Sequence, residues 1–277
     1  MKKSLIALAV LAASGAAMAQ SSVTLYGVVD TGLTYSKGDE SVYGMTHVGG
    51  NVNSRLGFRG VEDLGNGLKA TFNLEAGMGV DDGNNYMGGG DGLAFRRTST
   101  VGLQGSFGEV RLGRMLTSSY LAVSRYDAFG DTGIGASRAW SQGYAARSEN
   151  AISYTSPNFS GFKIGAEYGF GEQQKASDKR YIGIGAMYDN GPLSLGLGVD
   201  RLNGDTKNNT DLDENQTTWH LGGSYNFGVA KLLGFYKESK FKETGLNAGN
   251  DSTKFKTFGL GVTAPVGAAG EVRASYN

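Results

Sequence analysis

From residue 22 onward the chain alternates apolar with polar or small residues at a period of two, and the polar set carries formal charges. In 67–78, Leu68, Ala70, Phe72, Leu74, Ala76 and Met78 alternate with Lys69, Thr71, Asn73 and Glu75. In 162–170, Phe162, Ile164, Ala166, Tyr168 and Phe170 stand against Lys163 and Glu167. Segments 23–35, 192–200 and 217–226 repeat the pattern. A period of two belongs to strands, whose successive side chains point to opposite faces. About thirteen such segments run to the end of the chain, most of them roughly ten residues long, the length of a tilted membrane strand.

Parity assigns Asp30, Arg55, Arg59, Lys69, Glu75, Glu109, Arg111, Lys163, Glu167, Asp200, Glu271 and Arg273 to the face opposite leucine and phenylalanine. One charge turned toward hydrocarbon at mid-bilayer costs about 2–4 kcal/mol. A face that carries charges so regularly is therefore wet, while its reverse is apolar. Past residue 20 no apolar run approaches the roughly 18 residues of a spanning helix. The expected fold class is all-β, a transmembrane antiparallel β-barrel. A soluble β-sandwich also alternates, but its core strands should be apolar on both faces, and here the second face holds Gly, Ser, Thr and charge. Tyr26, Tyr35, Tyr154, Tyr168, Tyr188 and Tyr225 near segment ends are expected to form the interfacial aromatic girdles. Short connections such as "EDLGNG" alternate with long polar ones such as "DRLNGDTKNNTDLDENQ", the asymmetry of periplasmic turns and external loops.

The first residues form a separate object. Lys2 and Lys3, an apolar stretch from Leu5 to Ala13, and Ala17-Met18-Ala19 read as a secretory signal peptide over 1–19. Residues 20–277 then form the barrel. A formal net charge of zero argues against a nucleic-acid partner. The absence of cysteine means that an exported chain does without disulfides.

"VTLYGVVDTGL" (23–33), "SRLGFRGVEDLGNGLKATFNLE" (54–75), "VGLQGSFGEVRLGR" (101–114) and "RSENAISYTSPNFSGFKIGAEY" (147–168), in this order, resemble the general diffusion porins of Gram-negative bacteria, in their β-proteobacterial branch. The resemblance runs over the whole chain. It implies a sixteen-stranded barrel of the outer membrane, a homotrimer, and a third external loop folded into the lumen. Such porins end on an aromatic residue, whereas this chain ends "GEVRASYN" after about thirteen segments. It is therefore expected to lack its last strands and to leave both sheet edges open.

Residues 115–146 lack alternation, and a structureless stretch of that length is usually functional. The resemblance makes them the constriction loop, with acidic groups opposite a basic wall. Asp127 and Asp131 are the acidic candidates on the loop, and Glu75 and Glu109 those on the wall. Arg55, Arg59, Arg111 and Arg147 are the basic candidates, with Arg96 or Arg97, since parity sends one inward and one outward. Opposed rows would hold a transverse field that sorts solutes by size and charge. The alternative for Arg55 and Arg59 is an ion pair with Glu75 that stiffens the wall. Asp30, Lys69, Lys163 and Glu167 are further lumen charges. Twelve charges divided six and six leave ion preference open, while the resemblance leans toward anions.

Other signals are weaker. His47 and His220 have no ligand spacing around them, so no metal or other cofactor is expected. His220 with Ser224 lacks a nucleophile-elbow context, and "DLDEN" lacks the glycine and glutamate of a calcium loop. The G-x-G pairs lie inside strands and make no nucleotide site. The reading is a non-enzymatic, passive channel for ions and small hydrophilic solutes, with outer-membrane lipid and lipopolysaccharide around it. The alternatives are a structural or adhesive barrel that acts through its external loops, and a lipid-modifying barrel enzyme.

Overall fold

The structure is a computed structural model that describes residues 22–38, 41–46, 50–85, 92–130, 145–173, 175–204, 213–244, 252–268 and 270–277. The signal-peptide segment and Asp131 lie outside the described residues.

Thirteen strands form one antiparallel meander in which each strand pairs with the next one along the chain. They are β1 (Ser22–Val28), β4 (Arg55–Gly65), β5 (Leu68–Gly77), β6 (Thr98–Gly105), β7 (Gly108–Leu116), β8 (Arg147–Thr155) and β9 (Phe162–Gly169), followed by β10 (Tyr181–Asn190), β11 (Leu193–Leu202), β12 (Asp213–Asn226), β13 (Lys231–Thr244), β14 (Ser252–Val266) and β15 (Gly270–Tyr276). β2 (Leu33–Lys37) and β3 (Ser41–Met45) form a separate hairpin between β1 and β4. Among the described residues β1 pairs only with β4 and β15 only with β14. The sheet nevertheless wraps round, because an Arg273 guanidinium N–H on β15 reaches the side-chain oxygen of Asn51 before β4, at 3.0 Å.

The pleat explains the burial, which is inverted relative to a soluble protein. Ile184, Leu195, Leu197, Val199 and Leu221 are exposed on the outer face, while Asp200, Thr218, His220 and Lys237 are buried on the inner one. The apolar core is small and lies within the lumen. Ala122, Val123 and Tyr126 pack there against Met187 and Phe235. At one end of the sheet the turns are tight, as in Gly65-Asn66-Gly67, where all three residues have positive φ. The long connections gather at the opposite end, which is the external one.

Two expectations from alternation fail near the N-terminus. The segment 23–35 is not one strand: β1 ends at Val28, and Leu33 and Tyr35 belong to the hairpin, where Tyr35 lies against Tyr43 with ring centroids 4.8 Å apart. Tyr26 is not a girdle residue either. Its hydroxyl donates inward to Asn73 (2.8 Å) and Glu75 (2.9 Å), and its ring lies beneath the Arg59 guanidinium.

Candidate functional site

Four arginines from four strands or their approaches converge on one recess in the lumen. Arg55 opens β4, Arg97 immediately precedes β6, Arg147 opens β8, and Arg273 lies on β15. With Asn51, Asn53, Leu116, Tyr120, Phe129 and Gly130 they line a recess of about 310 Å³. Arg97 is the better fixed: it is buried, its Nε lies 2.6 Å from Glu75 Oε1, and its amide donates to the Glu75 carbonyl at 3.0 Å. Arg147 Nε donates to the Arg97 carbonyl at 2.9 Å, so the two side chains are held as a unit. Arg55 donates to the Asn53 carbonyl at 3.0 Å and sits 3.7 Å from Glu75 Oε2. Arg273 Nε meets Glu271 Oε1 at 2.6 Å. Among the described residues, Glu75 and Glu271 thus neutralise part of the charge of these four cations, and neither of them lines the recess itself.

A second group lies deeper. Arg59, four residues along β4 from Arg55, shares a recess of about 400 Å³ with Thr71, Asn73, Thr100, Glu109 and Arg111. Arg111 Nε and Glu109 Oε2 are 3.7 Å apart on the same strand. Arg96 belongs to neither recess. Its side chain is exposed, and its carbonyl accepts from Arg114 Nε at 2.6 Å. Lys69 and Lys163 have exposed side chains and line neither recess.

The loop between β7 and β8 supplies the opposite side. Among its described residues it faces the arginines with Tyr120, Phe129 and Gly130. Asp127 does not line the recess. It is buried, and its Oδ1 accepts the Phe129 amide at 2.9 Å, the i to i+2 contact of an Asx turn. Asp30 is likewise occupied locally: its carboxylate accepts the amides of Gly50 (3.0 Å), Asn51 (2.9 Å) and Val52 (2.7 Å). These three donors hold its carboxyl below the usual aspartate range.

What the sequence reading missed is how the loop is seated. A six-residue helix, α1 (Ser118–Val123), is capped by Thr117, whose hydroxyl accepts the Tyr120 amide at 3.2 Å. It lies across β9 to β12, where the wall offers glycine. A Cβ at Gly185 would collide with the Ser118 carbonyl, one at Gly196 with the Ala122 carbonyl, and one at Gly222 with the Tyr126 ring. Polar contacts lock the seat. The Ser118 amide donates to Glu167 Oε2 at 3.1 Å, and Tyr126 Oη lies 2.9 Å from Ser194 Oγ. Arg125 forms two bonds with Asp189, at 2.6 and 3.0 Å. Ser119 Oγ donates to Asp200 Oδ2 at 2.7 Å, so its lone pairs accept from His220 Nε2 at 2.7 Å. Here Ser119 sits between acid and imidazole. In a nucleophilic triad the imidazole would occupy the middle. Glu167 is therefore a loop anchor rather than a charge presented to solutes. The signal was present in the in-strand glycine pairs of "IGIGAMY" and "LGLGVD", but their partners lie about seventy residues away.

Residues 5–277 match the family model described as Gram-negative porin. The outer membrane porin protein 32 of Delftia acidovorans is 49% identical over 291 aligned residues, covering 100% of this chain and 79% of that protein. Among solved structures, the anion-selective porin from Comamonas acidovorans superposes with a TM-score of 0.79 at 44% identity, covering 93% of this chain and 78% of the other. The trimer form of OmpT from Vibrio cholerae superposes with a TM-score of 0.68 at 18% identity, covering 92% of this chain and 76% of the other. That last likeness concerns the fold alone.

Proposed function

We propose how this chain, which belongs to the Gram-negative porin family and is a non-enzymatic diffusion channel of the bacterial outer membrane, sorts its solutes. The filter is the arginine recess, where Arg55, Arg97, Arg147 and Arg273 face Tyr120, Phe129 and Gly130 of the described part of the segment 115–146, and it favours anions. The observation that carries this reading is that, among the described residues, four fixed guanidinium groups stand against two paired carboxylates at the recess. Guanidinium stays charged at any physiological pH, and its planar fork fits carboxylate and phosphate oxygens. Water-filled but walled by protein and lipid, the recess screens those charges less than bulk solution does, so an anion enters a favourable potential and a cation an opposing one.

Glu75 tunes this field. By pairing with Arg97 and approaching Arg55 it fixes their geometry and lowers the net charge without cancelling it. Tyr120 and Phe129 on the loop side give a weakly polar wall, so the excess positive charge is not matched across the lumen by the described part of the loop. Arg59 and Arg111 continue the basic track inward, with Glu109 between them.

The anion-selective character of the Comamonas porin supports the same sign here, as does its 44% identity. Membership of the porin family supports a homotrimer. The exposed leucines, isoleucines and valines of the outer face support contact with outer-membrane lipid, including lipopolysaccharide at the external rim. The reversal potential in a salt gradient tests the filter, comparing the native channel with the Arg55→Glu, Arg147→Glu variant. The native sign is expected to be anionic and to move toward cations in the variant.

A further inference from the structure

The outer surface at the external end of β13 and β14 has a charge arrangement that the channel's own work does not use. Register and burial define its face. Leu233, Phe235, Lys237 and Ser239 point into the lumen, so Leu232, Tyr236, Glu238, Lys240 and Lys242 point outward. On β14 the outward set is Lys254, Lys256, Phe258, Leu260 and Val262. The apolar band thus ends at Tyr236 and Phe258, joined by Trp219 of β12, whose ring centroid lies 5.1 Å from that of Tyr236. Immediately beyond this aromatic rim come four lysines, all exposed.

Pairing sharpens the point. Lys240 stands directly opposite Lys254, Lys256 opposite Glu238, and Lys242 opposite Ser252. Directly opposed side chains have Cβ atoms about 5 Å apart, and like charges in that position destabilise a sheet. Among the described side chains of this face the one carboxylate is Glu238, 3.6 Å from Lys254 Nζ. Four cations against one anion leave a net charge of +3, held where an external anion would relieve the repulsion.

The depth identifies the anion. Lys256 lies two residues, and Lys240 and Lys254 four residues, beyond the aromatic rim. At about 3.3 Å per residue and a strand tilt near 40°, these steps rise roughly 5 and 10 Å along the membrane normal. The headgroup layer on each side of a roughly 30 Å hydrocarbon core is about 5–7 Å thick, so Lys256 lies at its level, and Lys240 and Lys254, whose backbones lie just beyond it, reach it along their flexible side chains. We propose that Lys240, Lys242, Lys254 and Lys256 form a docking site for a phosphate-bearing lipid of the external leaflet. Its headgroup phosphate bridges the Lys240–Lys254 pair, while its acyl chains run down over Tyr236, Phe258 and Leu260. The site rests on the reading of the outer face as membrane-embedded.

Trp219 borders the site and reports on it. In a Trp140→Phe background it is the sole tryptophan, because the chain has two. The protein is refolded into phosphatidylcholine vesicles containing one-tenth of a bis-phosphorylated glycolipid with brominated acyl chains, or the same lipid stripped of its phosphates. Excess quenching of Trp219 by the phosphorylated lipid is expected, with a preference of at least about tenfold, since each lysine near a membrane surface contributes roughly fivefold. Replacing all four lysines with glutamine abolishes the preference. Glu238→Gln, which frees Lys254, keeps or raises it and serves as a second variant should the fourfold one fail to fold. Equal quenching by both lipids overturns the site, as does a preference that survives the fourfold change or falls in Glu238→Gln. Loss of the preference on adding millimolar inorganic phosphate would make it a free-anion site instead, and a lipid dependence that tracks trimer dissociation would make it a contact between copies. If brominated phosphatidylcholine alone does not quench Trp219, the membrane reading itself fails, and the lipid site with it.

Discussion

Replacing Ser119 with alanine removes one hydroxyl and should free the lumen loop from its seat. Ser119 Oγ makes two bonds of 2.7 Å to buried partners, donating to Asp200 and accepting from His220. Both partners are at most 4% exposed, and Asp200 Oδ1 already lacks a hydrogen-bond partner among the described residues. Alanine therefore strands a carboxylate and an imidazole together. Each stranded buried polar group costs about 1–3 kcal/mol. Water entering behind the helix would recover part of that, so about 1–3 kcal/mol in total is a reasonable expectation. By the rule of tenfold per 1.4 kcal/mol, the ratio of seated to unseated loop falls roughly 5- to 150-fold. The remaining anchors at Glu167, Ser194 and Asp189 keep the loop in the lumen, so the channel still folds. Single-channel recording is the assay: open-state current noise should rise and brief conductance sublevels should appear, while far-UV circular dichroism stays unchanged. Current traces indistinguishable from the native channel in a fully inserted Ser119→Ala protein would refute the anchoring argument.

Two further predictions rest on local geometry. Gly196→Val places side-chain atoms where the Ala122 carbonyl lies, and such overpacking costs about 1–3 kcal/mol; valine itself suits the strand, so the wall forms while the loop is displaced and conductance changes. Unaltered conductance would contradict the glycine seat. Asp30 has a folded-state pKa below its ordinary value because three amides solvate its carboxylate, so its stabilising effect is complete above the unfolded pKa of about 3.9 and disappears as pH falls through the folded value. The difference in unfolding midpoint between native protein and Asp30→Asn should therefore be constant above about pH 5 and shrink in more acidic buffer, and a difference independent of pH would contradict the assignment.

The wall was legible in the sequence because a pleated strand reports its two faces directly. Thirteen strands and the inward side of Arg55, Arg59, Glu75, Arg111, Glu167 and Asp200 follow from parity alone. Parity breaks down where the chain leaves the sheet without breaking rhythm. Val29, Leu33 and Tyr35 continue the alternation of β1, yet Asp30 pulls the backbone toward residues 50–52 and starts a hairpin. The assignment between Arg96 and Arg97 needed the Glu75 carboxylate and carbonyl, both on the neighbouring strand. Asp127 looked like a filter acid because loop acids in this setting are expected to face the lumen. Its carboxylate instead closes a local turn, a use that an aspartate two residues before an acceptor-seeking amide can always adopt. The loop seat was hardest to see, because wall glycines and loop carbonyls are complementary only after folding has brought them together.

The central claim is that fixed guanidinium groups at one recess set the sign of selectivity. The most direct measurement is the reversal potential of the reconstituted channel across a tenfold potassium chloride gradient. The native channel should show the sign of chloride preference, and Arg55→Glu with Arg147→Glu should move that potential toward the cationic side. A cationic native sign, or a potential unmoved by the two reversals in a channel of normal conductance, would contradict it.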